Sequence, residues 1–337
     1  MEGLPRDREE AVRADAEDPL APYRSLFHFV EGAPIYLDGN SLGRQPRQTA
    51  GAMEALLGQW RGELVGGWDH WMELPTLAGD RVGQLVGAKP GQVVVSDSTT
   101  VNLYKLAAAA VEARPGRDII LGDANDFPTV RYVLQGLAAR TGYRLRLLAT
   151  DPVEGPGTTE IARELADDVA LVCLSAVNYR SGAILDLRAV TEAAHQAGAL
   201  VLFDLSHAAG AVPVDLDGSG ADLAVGCGYK YLNGGPGAPA WLYVRADLQP
   251  SLRQPIWGWF GQEDQFGMGP VYNPVHGIGR FLTGTPDVVG ITAVNAGIEP
   301  LLAASLPALW AKTRRLVGLL GSRSEELLVR SYEGFGS

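Results

Sequence analysis

Cysteine and histidine are scarce in this chain, at two and five of 337 residues. Cys173 sits in the apolar run 170–174 and Cys227 between two glycines, so both read as buried and no disulfide framework is expected. The scattered histidines and cysteines lack the ligand spacing of a metal site, and none is expected. Positive charge is also in deficit: 28 Lys and Arg stand against 39 Asp and Glu, a formal charge of -11. Without a basic patch to neutralise phosphates, nucleic acid is not an expected partner. No apolar run approaches the ~18 residues of a membrane span, and residues 1–18 are charged, with no apolar centre for a secretory signal. A cytoplasmic protein with no membrane partner is therefore expected. Also missing are G-x-G-x-x-G after a strand, the Walker A loop, H-E-x-x-H and G-x-S-x-G. Dinucleotide, P-loop, zincin and serine-hydrolase chemistries lose their usual signatures with them.

What remains is the pattern of a globular α/β protein. The length exceeds what one core usually serves, so a large domain with a smaller companion is expected. Residues 1–22 suggest a helix and then an extended arm, followed by an extended stretch at 35–38, a loop at 39–43 and a helix over 47–60. A helical repeat covers 76–87. From there short β-rich runs (93–95, 119–121, 144–148, 170–174, 201–203, 223–225 and 240–244) alternate with helices over 130–140 and 187–197. That alternation predicts a mainly parallel sheet with ligand contacts at the strand ends. Residues 287–330 read as helical. The division expected is 1–60 as an N-terminal arm and part of the small domain, 61–284 as the large domain, and 285–337 as the start of a C-terminal small domain that the chain leaves incomplete.

Chemistry concentrates at those strand ends. The apolar run 199–203 stops at Asp204, with His207 three residues on, and Lys230 lies in the glycine-flanked stretch Gly228-Tyr229-Lys230-Tyr231-Leu232-Asn233-Gly234. A strand-end carboxylate followed by such a lysine is what a pyridoxal phosphate (PLP) enzyme needs: the amine bonds the cofactor aldehyde and the carboxylate pairs with the pyridinium nitrogen. Either residue alone is more often a surface lysine or a helix cap. Ser96-Asp97-Ser98-Thr99-Thr100 after a strand suits a phosphate at a helix start, or plain capping. Phe127, in Asp126-Phe127-Pro128-Thr129, suits stacking on a flat ring, or plugging of the core. Ser175 opens a polar cluster that ends a strand: ligand contacts, or a turn. Ile256-Trp257-Gly258-Trp259-Phe260-Gly261 and Phe281-Leu282-Thr283-Gly284-Thr285-Pro286 suit a flat ligand wall, or a subunit interface.

Taken in order, Tyr36-Leu37-Asp38-Gly39-Asn40-Ser41-Leu42-Gly43, Thr99-Thr100-Val101-Asn102-Leu103, Phe127-Pro128-Thr129, Phe203-Asp204-Leu205-Ser206-His207-Ala208, Tyr229-Lys230-Tyr231-Leu232-Asn233 and Gly258-Trp259-Phe260-Gly261 resemble the kynureninase family. Those are PLP-dependent hydrolases of fold type I, in the aminotransferase class V group. The resemblance runs from about residue 20 to about residue 300, and its specificity lies in the number and order of the motifs.

It implies Cβ–Cγ hydrolysis of L-kynurenine, or of 3-hydroxykynurenine, to anthranilate, or 3-hydroxyanthranilate, and L-alanine, in tryptophan catabolism or NAD biosynthesis. It implies Lys230 as the cofactor-bound lysine and the base for the α-proton, Asp204 on the pyridine nitrogen and Phe127 on the ring. Thr99, Thr100, Tyr229, Trp259 and Thr285 would lie near the phosphate, the last two from the second subunit of a homodimer with a shared active site. His207 and Ser175 would contact the cofactor. Trp68 and Gly284 would lie by the substrate ring, and Tyr229 would protonate Cβ or serve only as a phosphate ligand. There are departures. Val130 stands where the Phe-Pro-Thr motif often continues with a polar residue, and Gly284-Thr285 replaces a polar pair. No residue matches the arginine that binds the substrate carboxylate in the family's C-terminal domain. Two other readings follow: another class V PLP lyase such as a cysteine desulfurase, for which neither cysteine is well placed, or a shortened, non-catalytic PLP-binding homologue.

Overall fold

In a computed structural model the protein is described for residues 5, 7–32 and 35–323. The strands are β1 (Val93–Val95), β2 (Ile119–Asp123), β3 (Arg144–Leu148), β4 (Val169–Ser175), β5 (Leu200–Asp204), β6 (Leu223–Gly226) and β7 (Trp241–Val244). They form one sheet in the order β1-β7-β6-β5-β4-β2-β3. Pairing is parallel from β6 through β3, and β7 is antiparallel to both β6 and β1. Being antiparallel to β7, β1 runs in the same direction as β6. Every strand except β7 therefore ends at the same edge.

Both faces of the sheet are covered, which explains why the strands read as continuous apolar runs. Side chains alternate across a strand. Val201 and Phe203 thus join the core on one side, with Val82 and Val86 of the helix Leu74–Val86. Leu200 and Leu202 join the other, with Leu103 and Leu106 of the helix Thr99–Glu112. Three strands run one or two residues past their apolar stretches, to Asp123, Ser175 and Asp204. The ladder accounts for this: Ser175 pairs with Asp204 and Asp204 with Val225, because backbone bonding does not depend on side-chain polarity.

The first 22 residues hold the helix Arg8–Ala16, but a 3₁₀ turn at Ala21–Leu26 replaces the expected extended arm. The seven-residue helix Thr158–Glu164 went unread because only Ile161 is buried along it. The helical reading of 287–330 resolves into Val288–Gly297, Glu299–Ala304 and Leu306–Arg323; residues 324–337 lie outside the described residues. N-terminal segments meet these helices: Gln48 Nε2 donates to Ala296 O at 2.9 Å, Tyr23 Oη donates to Ala303 O at 2.7 Å, and Lys312 pairs with Asp18. Among the described residues no single helix is long and apolar enough to cross a membrane; Val288–Ala304 and Leu306–Leu320 pass that test only as a pair bent by 79°.

Candidate active site

The parallel strand ends converge on Lys230. β6 delivers the chain to Cys227 and Gly228, and a turn that closes with Asn233 N on Lys230 O (3.0 Å) holds the lysine, which is 8% exposed. Its Nζ lies 2.7 Å from Nε2 of His207. Burial, and then the charge of Lys230, push His207 down to about 4, so the imidazole is neutral at pH 7 and can accept from an ammonium. No carboxylate pairs with Lys230 among the described residues. The ring centroids of Phe127 and Tyr229 lie 5.7 and 5.8 Å from its Nζ. Burial raises the Tyr229 phenol, which keeps its proton available to give away.

Asp204 ends β5 near enough to Lys230 to feel its charge. Its carboxylate accepts from Ser206 N at 2.8 Å, and the Ser206 side chain also acts on it. Burial raises its pKa, partly offset by Ser206 and by the charge of Lys230. A buried carboxylate with no ion pair among the described residues is costly without a cationic partner. Ser175, beside it on β4, directs its hydroxyl to Asp126 Oδ1 at 2.5 Å, so Ser175 acts first on a carboxylate that was read only as part of a loop. Phe127 does not plug the core. It is 39% exposed, and its ring packs edge-on against Tyr179, with centroids 5.3 Å apart.

The helix Thr99–Glu112 starts at the same sheet edge, after β1. Ser98 is the cap, accepting from Val101 N at 3.3 Å, so the capping reading of this cluster holds for that residue. The amides and hydroxyls of Thr99 and Thr100 have no partner among the described residues, which leaves a set of donors for an anion. Asp97, strained at φ 50°, does not cap. It accepts from Lys105 at 2.7 Å, and Lys105 also donates to Phe281 O at 2.7 Å. Lys105 is wholly buried on the core face of its helix, and burial lowers its pKa. This clamp fixes the segment entering Thr283-Gly284-Thr285 against the start of the threonine helix. Gly258 then sits on that segment, where a Cβ would meet Thr283 O at 2.2 Å, and Phe260 N donates to Thr283 O at 3.0 Å.

Thr99, Thr100, Phe127, Ser175, Asp204, His207, Tyr229 and Lys230 thus share one sheet edge. No hydrogen bond, ion pair or ring contact joins Trp259, Gly284, Thr285 or Trp68 to the Lys230 cluster among the described residues. Trp259 is 42% exposed and packs on Phe260 and Phe266. Trp68 packs edge-on against Trp71, at 5.5 Å, on an apolar surface that includes Trp60 and Val289.

These residues fit PLP on their chemistry. A buried amine suits an aldehyde, a buried carboxylate without an ion pair among the described residues suits a protonated ring nitrogen, an exposed aromatic face suits a flat ring, and free donors at a helix start suit a phosphate.

Sequence reasoning missed how Gly43 supports this pocket. Its N–H donates to Tyr229 O at 2.9 Å, and an added Cβ would lie 2.2 Å from Lys230 O and 2.8 Å from Asn233 Cα. The only signal was a glycine in a loop. Gly43→Ala is expected to push the lysine turn away and weaken PLP binding by about tenfold or more, since backbone on both sides of a 2.2 Å contact must move. Equilibrium titration of apo-protein with PLP measures this; an unchanged Kd would show that the turn is held by other contacts.

Comparison with known proteins extends these local observations over the chain. The aminotransferase class-V family model matches residues 35–328. A kynureninase of Burkholderia pseudomallei is 43% identical over 331 residues, covering 94% of this chain and 78% of that protein. A kynureninase of Pseudomonas fluorescens is 40% identical over 321 residues, covering 93% and 75%. Among solved structures, a cysteine desulfurase from Thermococcus onnurineus superposes with a TM-score of 0.76 at 20% identity, covering 94% of this chain and 76% of that one. A C-DES mutant with glycine covalently linked to its PLP cofactor gives 0.73 at 19% identity, covering 88% and 77%. At such identities the structural likeness establishes the fold alone, an α/β fold of the class-V, fold type I kind.

Proposed function

The chain belongs to the kynureninase family of class-V, PLP-dependent enzymes, and on that premise we propose how its residues carry out the family reaction. That reaction is hydrolysis of L-kynurenine, or its 3-hydroxy form, to anthranilate, or 3-hydroxyanthranilate, and L-alanine. The Cβ–Cγ bond breaks, water gives its OH to the acyl carbon, and Cβ gains a proton. The observation that carries the reading is Lys230: a buried amine hydrogen-bonded to a neutral imidazole, in a chain 43% identical to kynureninases.

PLP, when bound, supplies an electron sink for the bonds at Cα and Cβ. Lys230 anchors the cofactor and moves the α-proton. His207, accepting from Nζ, orients the amine and stays neutral, adding no charge against it. Asp204 holds the ring-nitrogen end and Phe127 covers the ring face. Thr99 and Thr100 receive the phosphate, with Ser175 at the neighbouring strand end. Tyr229, its phenol held protonated, gives the proton to Cβ. Trp259 and Thr285 complete the phosphate site of a partner subunit in a homodimer, which accounts for their lack of contacts with their own Lys230. Trp68 and Gly284 face the substrate ring. The enzyme acts in the cytoplasm, in tryptophan breakdown or NAD biosynthesis, without nucleic-acid or membrane partners. N-terminal segments and the helices after 285 form a second, smaller domain beside the sheet domain of 61–284.

A desulfurase reading needs a reactive thiolate. Burial raises the pKa of both Cys173 and Cys227, which disfavours that form. With PLP and L-kynurenine, purified protein is expected to release anthranilate and alanine in equal amounts. Sulfide from L-cysteine with no anthranilate from kynurenine would replace this reading with the desulfurase one, and PLP binding without turnover would favour the non-catalytic homologue.

A further inference from the structure

A second carboxylate stands behind Asp204. Asp126 is 3% exposed and locked by three donors: Ser175 N at 3.0 Å to Oδ2, Ser175 Oγ at 2.5 Å to Oδ1, and Phe127 N at 2.7 Å, also to Oδ1. Ser175 is the register partner of Asp204 across β4 and β5, so the two carboxylates flank one residue at the sheet edge. The other titratable or charged groups at this end are the neutral His207, the Lys230 amine, the Cys173 and Cys227 thiols, the Tyr229 phenol, Asp123, and Arg131, whose Nε donates to the main-chain Asp126 O at 3.1 Å. Asp123 is occupied by Thr150 Oγ1 at 2.7 Å and Asn125 N at 3.0 Å. No cation is paired with Asp126 among the described residues.

We propose that Asp126 is a positioning residue for the cofactor ring: anchored on Ser175, it places a second negative charge behind Asp204 and so favours a protonated ring nitrogen, while its bond to Phe127 N sets the ring-covering phenyl. This rests on the PLP reading above. A fully bonded carboxylate cannot reach a ligand without breaking those bonds, so it acts by its field and through its neighbours. The electrostatics agree. Burial pushes Asp126 up to about 7 against the opposing pull of Ser175, with the charge of Asp204 adding to the rise. Two adjacent buried carboxylates are hard to ionise together until a cation arrives, and a pyridinium N–H is such a cation.

The test uses apo-protein, PLP and 1-deaza-PLP, in which a C–H replaces the ring nitrogen. Wild type is expected to bind PLP more tightly than the deaza analogue. Asp126→Asn keeps the shape and the acceptor for Phe127 N. It is expected to shrink that preference by about tenfold, as one unit charge at several ångströms inside a protein implies, and to lower the pH at which bound-cofactor absorbance titrates. If both Kd values rise together and the preference holds, Asp126 is only structural and the proposal falls. Should Asp126→Asn not fold, Ser175→Ala serves: losing that donor favours protonated Asp126 and should shrink the preference in the same direction, and an unchanged preference overturns the proposal. Wild type that binds neither compound would refute the PLP reading itself, an outcome distinct from wild type and variant sharing one preference.

Discussion

Lys230→Ala is expected to lower kcat for L-kynurenine by about four orders of magnitude and to abolish the absorbance of the lysine-bound cofactor. Two losses combine: the covalent anchor and the group that moves the α-proton, the latter alone worth ~10²–10⁴. Nothing nearby substitutes. His207, 2.7 Å from Nζ, is neutral and pushed down to about 4, so it is a poor base. Tyr229 is raised by burial and holds its proton. Anthranilate fluorescence gives the rate and an absorbance spectrum gives the cofactor state. A variant that keeps a tenth of wild-type activity would remove Lys230 from the reaction. Because the side chain is buried without an ion pair, the variant should fold, and retained thermal unfolding would separate lost chemistry from lost structure.

Asp204→Asn is expected to lower kcat by about a thousandfold while KM moves less than about threefold. A fixed charge placed where charge must be stabilised is worth roughly 10²–10³. The carboxamide keeps the shape and the acceptor for Ser206 N, but it cannot hold a ring-nitrogen proton as a carboxylate does. The apo-protein should respond in the opposite sense. Burial raises Asp204 above its unfolded value, so its favourable contribution is complete at low pH and is lost as pH rises through the folded pKa. Apo Asp204→Asn, free of that loss, should match wild type near pH 4 and melt higher at pH 8. Stability is spent here on function, a common trade at active sites. Equal kcat in the two proteins, or a lower melting temperature for the apo variant at pH 8, would contradict the role given to Asp204.

The chemistry-bearing residues were legible because they fall where patterns break. Asp204 stops an apolar run, Lys230 interrupts a glycine-rich loop, and Thr99 and Thr100 follow a strand. Lys105 was overlooked although it carried a signal, a lone charge on the core face of an apolar helix. Its partners, Asp97 and Phe281 O, are 8 and 176 positions away, and spacing rules do not reach the second. Asp126 looked like one polar loop residue among several. Its importance comes from Ser175, 49 positions on, which the sheet sets beside Asp204.

By itself the sequence determined the alternation of strands and helices, the parallel character of the sheet, and the residue types of a PLP site with their order along the chain. These follow from side-chain periodicity and local chemistry, which are short-range. Only the tertiary structure decided that β1 joins the far edge pointing the same way as β6, so that the threonine helix opens on the edge that carries Lys230. It also decided that Gly43 closes on the lysine turn, that Asp126 lies behind Asp204, and that Trp259 and Trp68 make no contact with the Lys230 cluster among the described residues. Those are contacts between distant segments, fixed by strand order and by which atoms can approach within van der Waals distance, and neither is written in any local stretch of the chain.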